Sequence, residues 1–181
     1  MEKEFKFGIK SPNLFQLGIV VKDIDEAILF MSNTLNLGPF TVMRGFTAPA
    51  GSYRGSTKNP VLNMAHVYAG SLFIELIQQL DDTPSVYTEH VEKYGYGLHH
   101  FGLAVDPEKY DTVLQSFLDR GYEVVFRDQL PTGARIRYVT PKDPKLKDSM
   151  VRSSGAGFLE CVEMIPAEED FFNEMKVSSE A

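Results

Sequence analysis

Two glutamates stand where a carboxylate is most costly. Glu75 lies in Phe-Ile-Glu-Leu-Ile and Glu160 in Phe-Leu-Glu-Cys-Val, each flanked on both sides by apolar residues. Inside a sheet core a carboxylate must be paired, protonated or coordinated, because burial without compensation disfavours the charge. Seen singly, each reads more readily as an ordinary solvent-facing residue of an edge strand. His100 and Gln16 change that reading. Gln16 precedes Glu75 by 59 residues and His100 precedes Glu160 by 60. One imidazole, one amide oxygen and two carboxylates make a mixed N/O donor set suited to a single divalent ion of the zinc, manganese, cobalt, nickel or iron type.

The elements that must position this set occur twice. Gln16-Leu-Gly-Ile-Val-Val-Lys22 matches His100-Phe-Gly-Leu-Ala-Val-Asp106 at an offset of 84, and both runs read as strands. After the first, Asp23 caps a helix with Glu26 three residues on, and Ile24, Ala27, Ile28, Met31 and Leu35 form one apolar stripe ending at Gly38. After the second, Asp106 caps, Pro107 takes the first helical position, and Tyr110, Val113, Leu114, Phe117 and Leu118 form the stripe up to Gly121. The strands carrying Glu75 and Glu160 match at an offset of 85. Extended stretches over 40–46 and 61–69, then 122–127 and 134–140, fill the interval in each copy. The expected fold is α+β: two tandem βαβββ modules, 13–80 and 98–165, around a shared cleft. A linker over 81–97 holds a short helix around 84–93. An N-terminal extension (1–12) and an acidic C-terminal tail (166–181) flank the modules, the tail packing as a short amphipathic helix or serving a dimer.

Alternation along the strands assigns faces. Gln16 shares its face with Gly18 and Val20, and Glu75 with Phe73 and Ile77; Leu72, Ile74 and Leu76 lie under the helix. His100 and Glu160 take the inner face of the second copy, leaving Cys161 on the helix side. His99 must then point away from His100 and is read as structural. His66 depends on the turn at Ala69-Gly70-Ser71. A two-residue turn puts it on the face of Glu75, as a supporting group or proton shuttle near neutral pH, and a three-residue turn puts it opposite. His90, in the linker helix, is expected to be solvated. Arg44, Tyr53, Arg54, Arg135, Arg137 and Tyr138 lie where substrate-binding strands and loops belong, although Arg135 and Arg137 also suit a solvated edge strand. The segment 141–155, with Lys142, Lys145, Lys147 and Arg152, is expected to be a mobile solvated loop, the alternative being a clamp for an anionic tail.

Composition narrows the field. The 181 residues carry a net charge of −7, against the clustered cations that nucleic acid requires. The opening MEKEFKFGIK has no apolar stretch of signal-peptide length, and no run approaches a membrane span. With one cysteine, Cys161, neither an internal disulfide nor a cysteine-rich zinc site is possible. A cytoplasmic protein is expected.

The phrases over 16–27, Ile-Glu-Leu-Ile-Gln (74–78), Gly-Leu-His-His-Phe-Gly-Leu-Ala-Val (97–105) and Gly-Phe-Leu-Glu (157–160) resemble the vicinal-oxygen-chelate superfamily. That superfamily includes glyoxalase I, methylmalonyl-CoA epimerase, extradiol dioxygenases and antibiotic-sequestering proteins. The resemblance implies an open eight-stranded cup around one metal, with Gln16, Glu75, His100 and Glu160 as ligands in a set similar to zinc-type glyoxalase I. The departures are specific. The glutathione-binding Arg of that glyoxalase is replaced by Val20. Residues 40–68 contain no Asp or Glu to act as the epimerase's additional base. One His among the four positions departs from the two-His iron set of the dioxygenases.

The leading expectation is a metal-dependent isomerase, epimerase or lyase acting on a small molecule with vicinal oxygens, in a homodimer. A proton next to a carbonyl leaves and the resulting enediolate is chelated on the metal, with Glu160 as base, Glu75 as second choice and His66 in support. The alternatives are a sequestering protein of the same fold and a non-haem iron dioxygenase.

Overall fold

The computed structural model describes residues 12–179; the N-terminal extension expected over 1–12 lies outside them except for Pro12. One mixed sheet forms the body of the molecule. Its first half contains β1 (Asn13–Val20), β2 (Thr41–Phe46), β4 (Leu62–Ala69) and β5 (Leu72–Gln79); its second contains β6 (Gly97–Val105), β7 (Tyr122–Gln129), β8 (Arg135–Pro141) and β9 (Phe158–Glu163). The short β3 (Ser52–Tyr53) makes a ninth strand where eight were expected. The strand order is β2-β4-β5-β1-β6-β9-β8-β7-β3. Although β3 follows β2 closely in the chain, it pairs with β7 at the opposite margin of the sheet. The connecting segment therefore curls the sheet into a cup.

The two halves meet along antiparallel β1 and β6, which places Gln16 opposite Gly102 and Gly18 opposite His100. Each central strand carries one irregularity. The register skips Phe15 between Leu14 and Gln16 on β1, and skips His99 between Leu98 and His100 on β6. Phe15 and His99 are equivalent positions of the repeat. Each bulge turns an extra side chain into the interior beside a candidate ligand. Alternation therefore fails at His99, whose ring packs edge-to-face on that of His100 with centroids 5.2 Å apart.

Two helices cover the face of the sheet away from the candidate ligands. α1 (Ile24–Leu35) is capped by Asp23, whose Oδ1 accepts from the Asp25 and Glu26 amides. It ends at Asn36 in the left-handed region, two residues before the expected Gly38. Ile24 with Ala65, Val67, Ile74 and Leu76 forms the core beneath it. α3 (Tyr110–Asp119) covers Val105, Val139 and Cys161, and the Tyr110 hydroxyl donates to the Cys161 carbonyl at 3.1 Å. Asp106 makes no side-chain cap; its carboxylate pairs with Lys109 across a 3-10 turn over Pro107–Lys109.

The segment 141–155 is largely a helix, α4 (Pro144–Ser154), rather than a loop. Asp143 caps it, and Lys147 is buried between Glu89 (2.6 Å) and the Phe158 ring. Its partner α2 (Val86–Tyr94) buries His90 against His99 and Phe158 instead of exposing it, and burial pushes the His90 imidazole down to about 4. α5 (Pro166–Ser179) closes one end of the cup, with Phe172 edge-on to Phe15 and Phe73. Among the described residues, no helix is long and apolar enough to cross a membrane.

Candidate metal centre and active site

The four candidate ligands converge at the floor of the cup, all buried. Donor atoms of Glu75, His100 and Glu160 lie within 4.8 Å of one another. Gln16 Nε2 donates to Glu75 Oε2 at 3.0 Å and lies 3.1 Å from His100 Nε2. His100 Nε2 is 3.3 Å from Glu160 Oε2 and 3.6 Å from Glu75 Oε2. The seats for the two β1/β6 side chains are cut by glycine. A Cβ on Gly18 would lie 1.8 Å from His100 Cε1, and one on Gly102 would lie 2.5 Å from Gln16 Cβ. Each half of the repeat thus leaves the room that the other half's ligand fills.

Hydrogen bonds set the tautomer of His100. His99 Nε2 lies 3.0 Å from the Val86 carbonyl, which can only accept, so this nitrogen carries the proton. Burial, with the neighbouring imidazoles, holds His99 well below the ordinary histidine range and keeps it neutral. Its Nδ1 is therefore an acceptor, and His100 Nδ1, 2.9 Å away, donates to it. That leaves the His100 Nε2 lone pair directed at the two carboxylates. With the Gln16 amide, this lone pair and the two carboxylates make a buried donor set that a cation would satisfy. Glu160 Oε2, buried and without a hydrogen-bond partner, fits the same reading. The residues present fit a divalent ion.

The two carboxylates are not equivalent. The two-residue turn places His66 directly across from Glu75, with His66 Nε2 3.0 Å from Glu75 Oε1. Burial pushes the Glu75 carboxyl up, but the His66 hydrogen bond and charge, with the Gln16 amide, outweigh it and hold it below the usual carboxylate range. The same cross-strand position opposite Glu160 is occupied by Tyr138. Burial and the nearby carboxylates push its phenol far up, and it hydrogen-bonds with Tyr87. Glu75 is committed to His66 and Gln16, whereas one oxygen of Glu160 remains unengaged.

Two lobes of one cavity flank the centre, and both touch Glu75 and Glu160. The smaller, about 130 Å³, runs between Tyr53, Val86, Phe126 and Tyr138. The larger, about 340 Å³, runs under α5 between Met43, Met64, Phe73, Val162 and Phe172. At its mouth Thr132 Oγ1 donates to Glu168 Oε1 at 2.5 Å, tying the β7–β8 turn to α5.

Of the cationic residues set aside as substrate contacts, none lines these lobes. Arg135 forks onto Glu163 and reaches Asp111, and Arg137 donates to the Asp128 and Ile136 carbonyls. Their strand lies between β7 and β9, so it is not an edge strand. Arg44 pairs with Asp25, and Arg54 pairs with Glu89 and Glu123. Tyr53 and Tyr138 do line the smaller lobe. His99, Tyr138 in its role opposite Glu160, and Glu168 carry no individual signal in the sequence; only the match of His99 to Phe15 at an offset of 84 hinted at a shared position.

The comparisons with known proteins follow this geometry. The profile of the Glyoxalase/Bleomycin resistance protein/Dioxygenase superfamily matches residues 15–140, a span that includes Gln16, Glu75 and His100 and stops before Glu160. No curated protein matches the sequence. Among solved structures, a hypothetical protein from Bacillus halodurans C-125 aligns with a TM-score of 0.57 at 21% identity, covering 86% of this chain and 96% of its own. Methylmalonyl-CoA epimerase from Mycobacterium tuberculosis aligns with a TM-score of 0.56 at 18% identity, covering 92% and 97%. The Streptomyces coelicolor epimerase in complex with 2-nitronate-propionyl-CoA aligns with a TM-score of 0.55 at 18% identity, covering 84% and 94%. These likenesses establish a shared fold. The chain belongs to the Glyoxalase/Bleomycin resistance protein/Dioxygenase superfamily.

Proposed function

We propose that this protein is a metal-dependent isomerase, epimerase or lyase that removes a proton next to a carbonyl, with Gln16, Glu75, His100 and Glu160 as the ligand set. A divalent ion bound there supplies Lewis-acid polarisation of two vicinal substrate oxygens. The observation that carries the proposal is the asymmetry of the carboxylates: Glu75 is held ionised and engaged by His66 and Gln16, and Glu160 keeps a buried, unpartnered Oε2 on the cavity wall. Glu160 would leave the donor set as substrate enters and take the proton from carbon, and the electron pair left behind would move onto the carbonyl oxygen. The apolar walls exclude water from the transfer. Glu160 then returns the proton to carbon. His66 orients Glu75 and keeps it charged. The exposed apolar residues Leu29, Phe30 and Leu35 of α1 support a homodimer, which sedimentation velocity would detect.

The test is solvent-exchange NMR in deuterated water with a panel of α-hydroxycarbonyl and α-dicarbonyl compounds. Metal-dependent exchange of the proton next to the carbonyl is expected, and its loss in Glu160→Gln with metal still bound. Undiminished exchange in that variant would remove Glu160 as the base. Protein purified without chelators is expected to carry close to one equivalent of divalent metal. Less than a tenth of an equivalent would favour the sequestering alternative.

A further inference from the structure

The cavity's charge is as informative as its centre. Apart from the central residues and His66, the ionisable side chains on its walls are acids or phenols, with Asp128 in the smaller lobe and Glu168 in the larger. Among the described residues neither lobe is lined by a Lys or Arg. The nearby cations are already engaged: Lys147 and Arg54 hold Glu89, and Arg135 holds Glu163. Glu168 is buried, with Thr132 donating to one of its oxygens. A phosphate or carboxylate entering the larger lobe would therefore meet Glu168, and the basic group on that wall, His66, is already engaged by Glu75.

The lobe's size and lining point the same way. At about 340 Å³ it has roughly twice the volume of the engineered 150 Å³ apolar cavity that binds benzene. Its walls are thioether, aromatic and aliphatic, contributed by Met43, Met64, Phe73, Val162, Phe171 and Phe172. Phe172 is itself fixed by Phe15 and Phe73, so this wall is formed without a ligand.

We propose that the substrate is compact and carries no anionic tail: its vicinal oxygens meet the Glu75/His100/Glu160 centre, and an aromatic or branched aliphatic substituent fills the lobe under α5. This rests on the metal-chelating reading above and specifies its substrate class. An anionic substituent inside the lobe is disfavoured by Glu168.

Three hydroxamates with the same chelating head test it by calorimetry on the zinc-loaded protein: acetohydroxamate, benzohydroxamate and 4-carboxybenzohydroxamate. Benzohydroxamate is expected to bind at least tenfold tighter than acetohydroxamate and at least tenfold tighter than its carboxylated analogue. Glu168→Gln, which keeps an acceptor for Thr132, is expected to reduce the second ratio at least threefold. Equal affinity of the benzoyl and carboxybenzoyl compounds, or tighter binding of the carboxylated one, would overturn the proposal. So would equal affinity of the acetyl and benzoyl compounds. Benzohydroxamate binding that survives removal of the metal would overturn the chelating head, while the benzoyl to carboxybenzoyl ratio still decides the tail.

Discussion

Gly18 lies under the imidazole of His100: a Cβ at this position would sit 1.8 Å from Cε1, inside the ring. His100 is completely buried and hydrogen-bonded to His99, so it cannot step aside without breaking that bond. Gly18→Ala is therefore expected to displace the ring. Overpacking of this kind costs about 1–3 kcal/mol. Metal affinity should fall further, by about 100-fold, because the imidazole leaves the donor set. Thermal unfolding and competition with a chelating dye measure the two effects separately.

His99 positions His100 without touching the centre. His99→Phe keeps the stacking on Phe158, at 4.8 Å between centroids, and removes the acceptor for His100 Nδ1. Loss of such a partner typically costs about 10–100-fold in metal affinity, and that range is expected here. The discriminating readout is nitrogen-15 NMR of the metal-free protein. In the parent His100 carries its proton on Nδ1; in His99→Phe the tautomers should mix.

His66 is expected to set the acid limit of metal binding at the proposed centre. Its hydrogen bond is the main influence opposing burial at Glu75, so His66→Leu should let the Glu75 pKa rise. A higher carboxyl pKa means the proton competes with the metal at higher pH. The pH at which metal is lost on acidification should move upward in the variant. An unchanged midpoint in a metal titration between pH 4 and 7 would show that His66 does not support Glu75.

Arg135 and Glu163 join β8 to the end of β9, and the pairing holds the Glu163 carboxyl below its ordinary range. A depressed folded pKa contributes stability above the unfolded value, which is lost as pH falls through the folded one. Glu163→Gln should cost about 1–2 kcal/mol at pH 7, the scale of a charge-assisted hydrogen bond. The gap from the parent should close below the ordinary Glu pKa. Urea denaturation at pH 7 and pH 3 measures it.

Much of this centre was legible because it is duplicated. A glutamate amid apolar strand residues is ambiguous singly. Its recurrence at 160, with Gln16 and His100 matched on the opening strands, identifies four side chains that share a face. The helices were legible too, since the stripes from Ile24 and Tyr110 have the period of one buried side, although Leu35, at the end of the first, is exposed. His99 was not legible. Alternation assumes a regular ladder, and the bulge beside Gly18 depends on pairing with β1, which is remote in sequence. For the same reason His90 read as solvated: what buries it is His99 and Phe158, on strands that the linker helix meets only in the folded chain.

Local pattern thus specified the repeated unit, the inward face and the donor types, because side-chain direction within a strand or helix follows from backbone period alone. Three matters waited on the folded chain. The register of β1 against β6 sets Gly18 beneath His100 and releases His99 to fix its tautomer. The unlike cross-strand neighbours, His66 and Tyr138, make one carboxylate engaged and the other available. The closure of α5 over the cup makes the larger lobe apolar and acid-edged. Each arises from contacts between segments distant in sequence, where residue identity is visible but partnership is not.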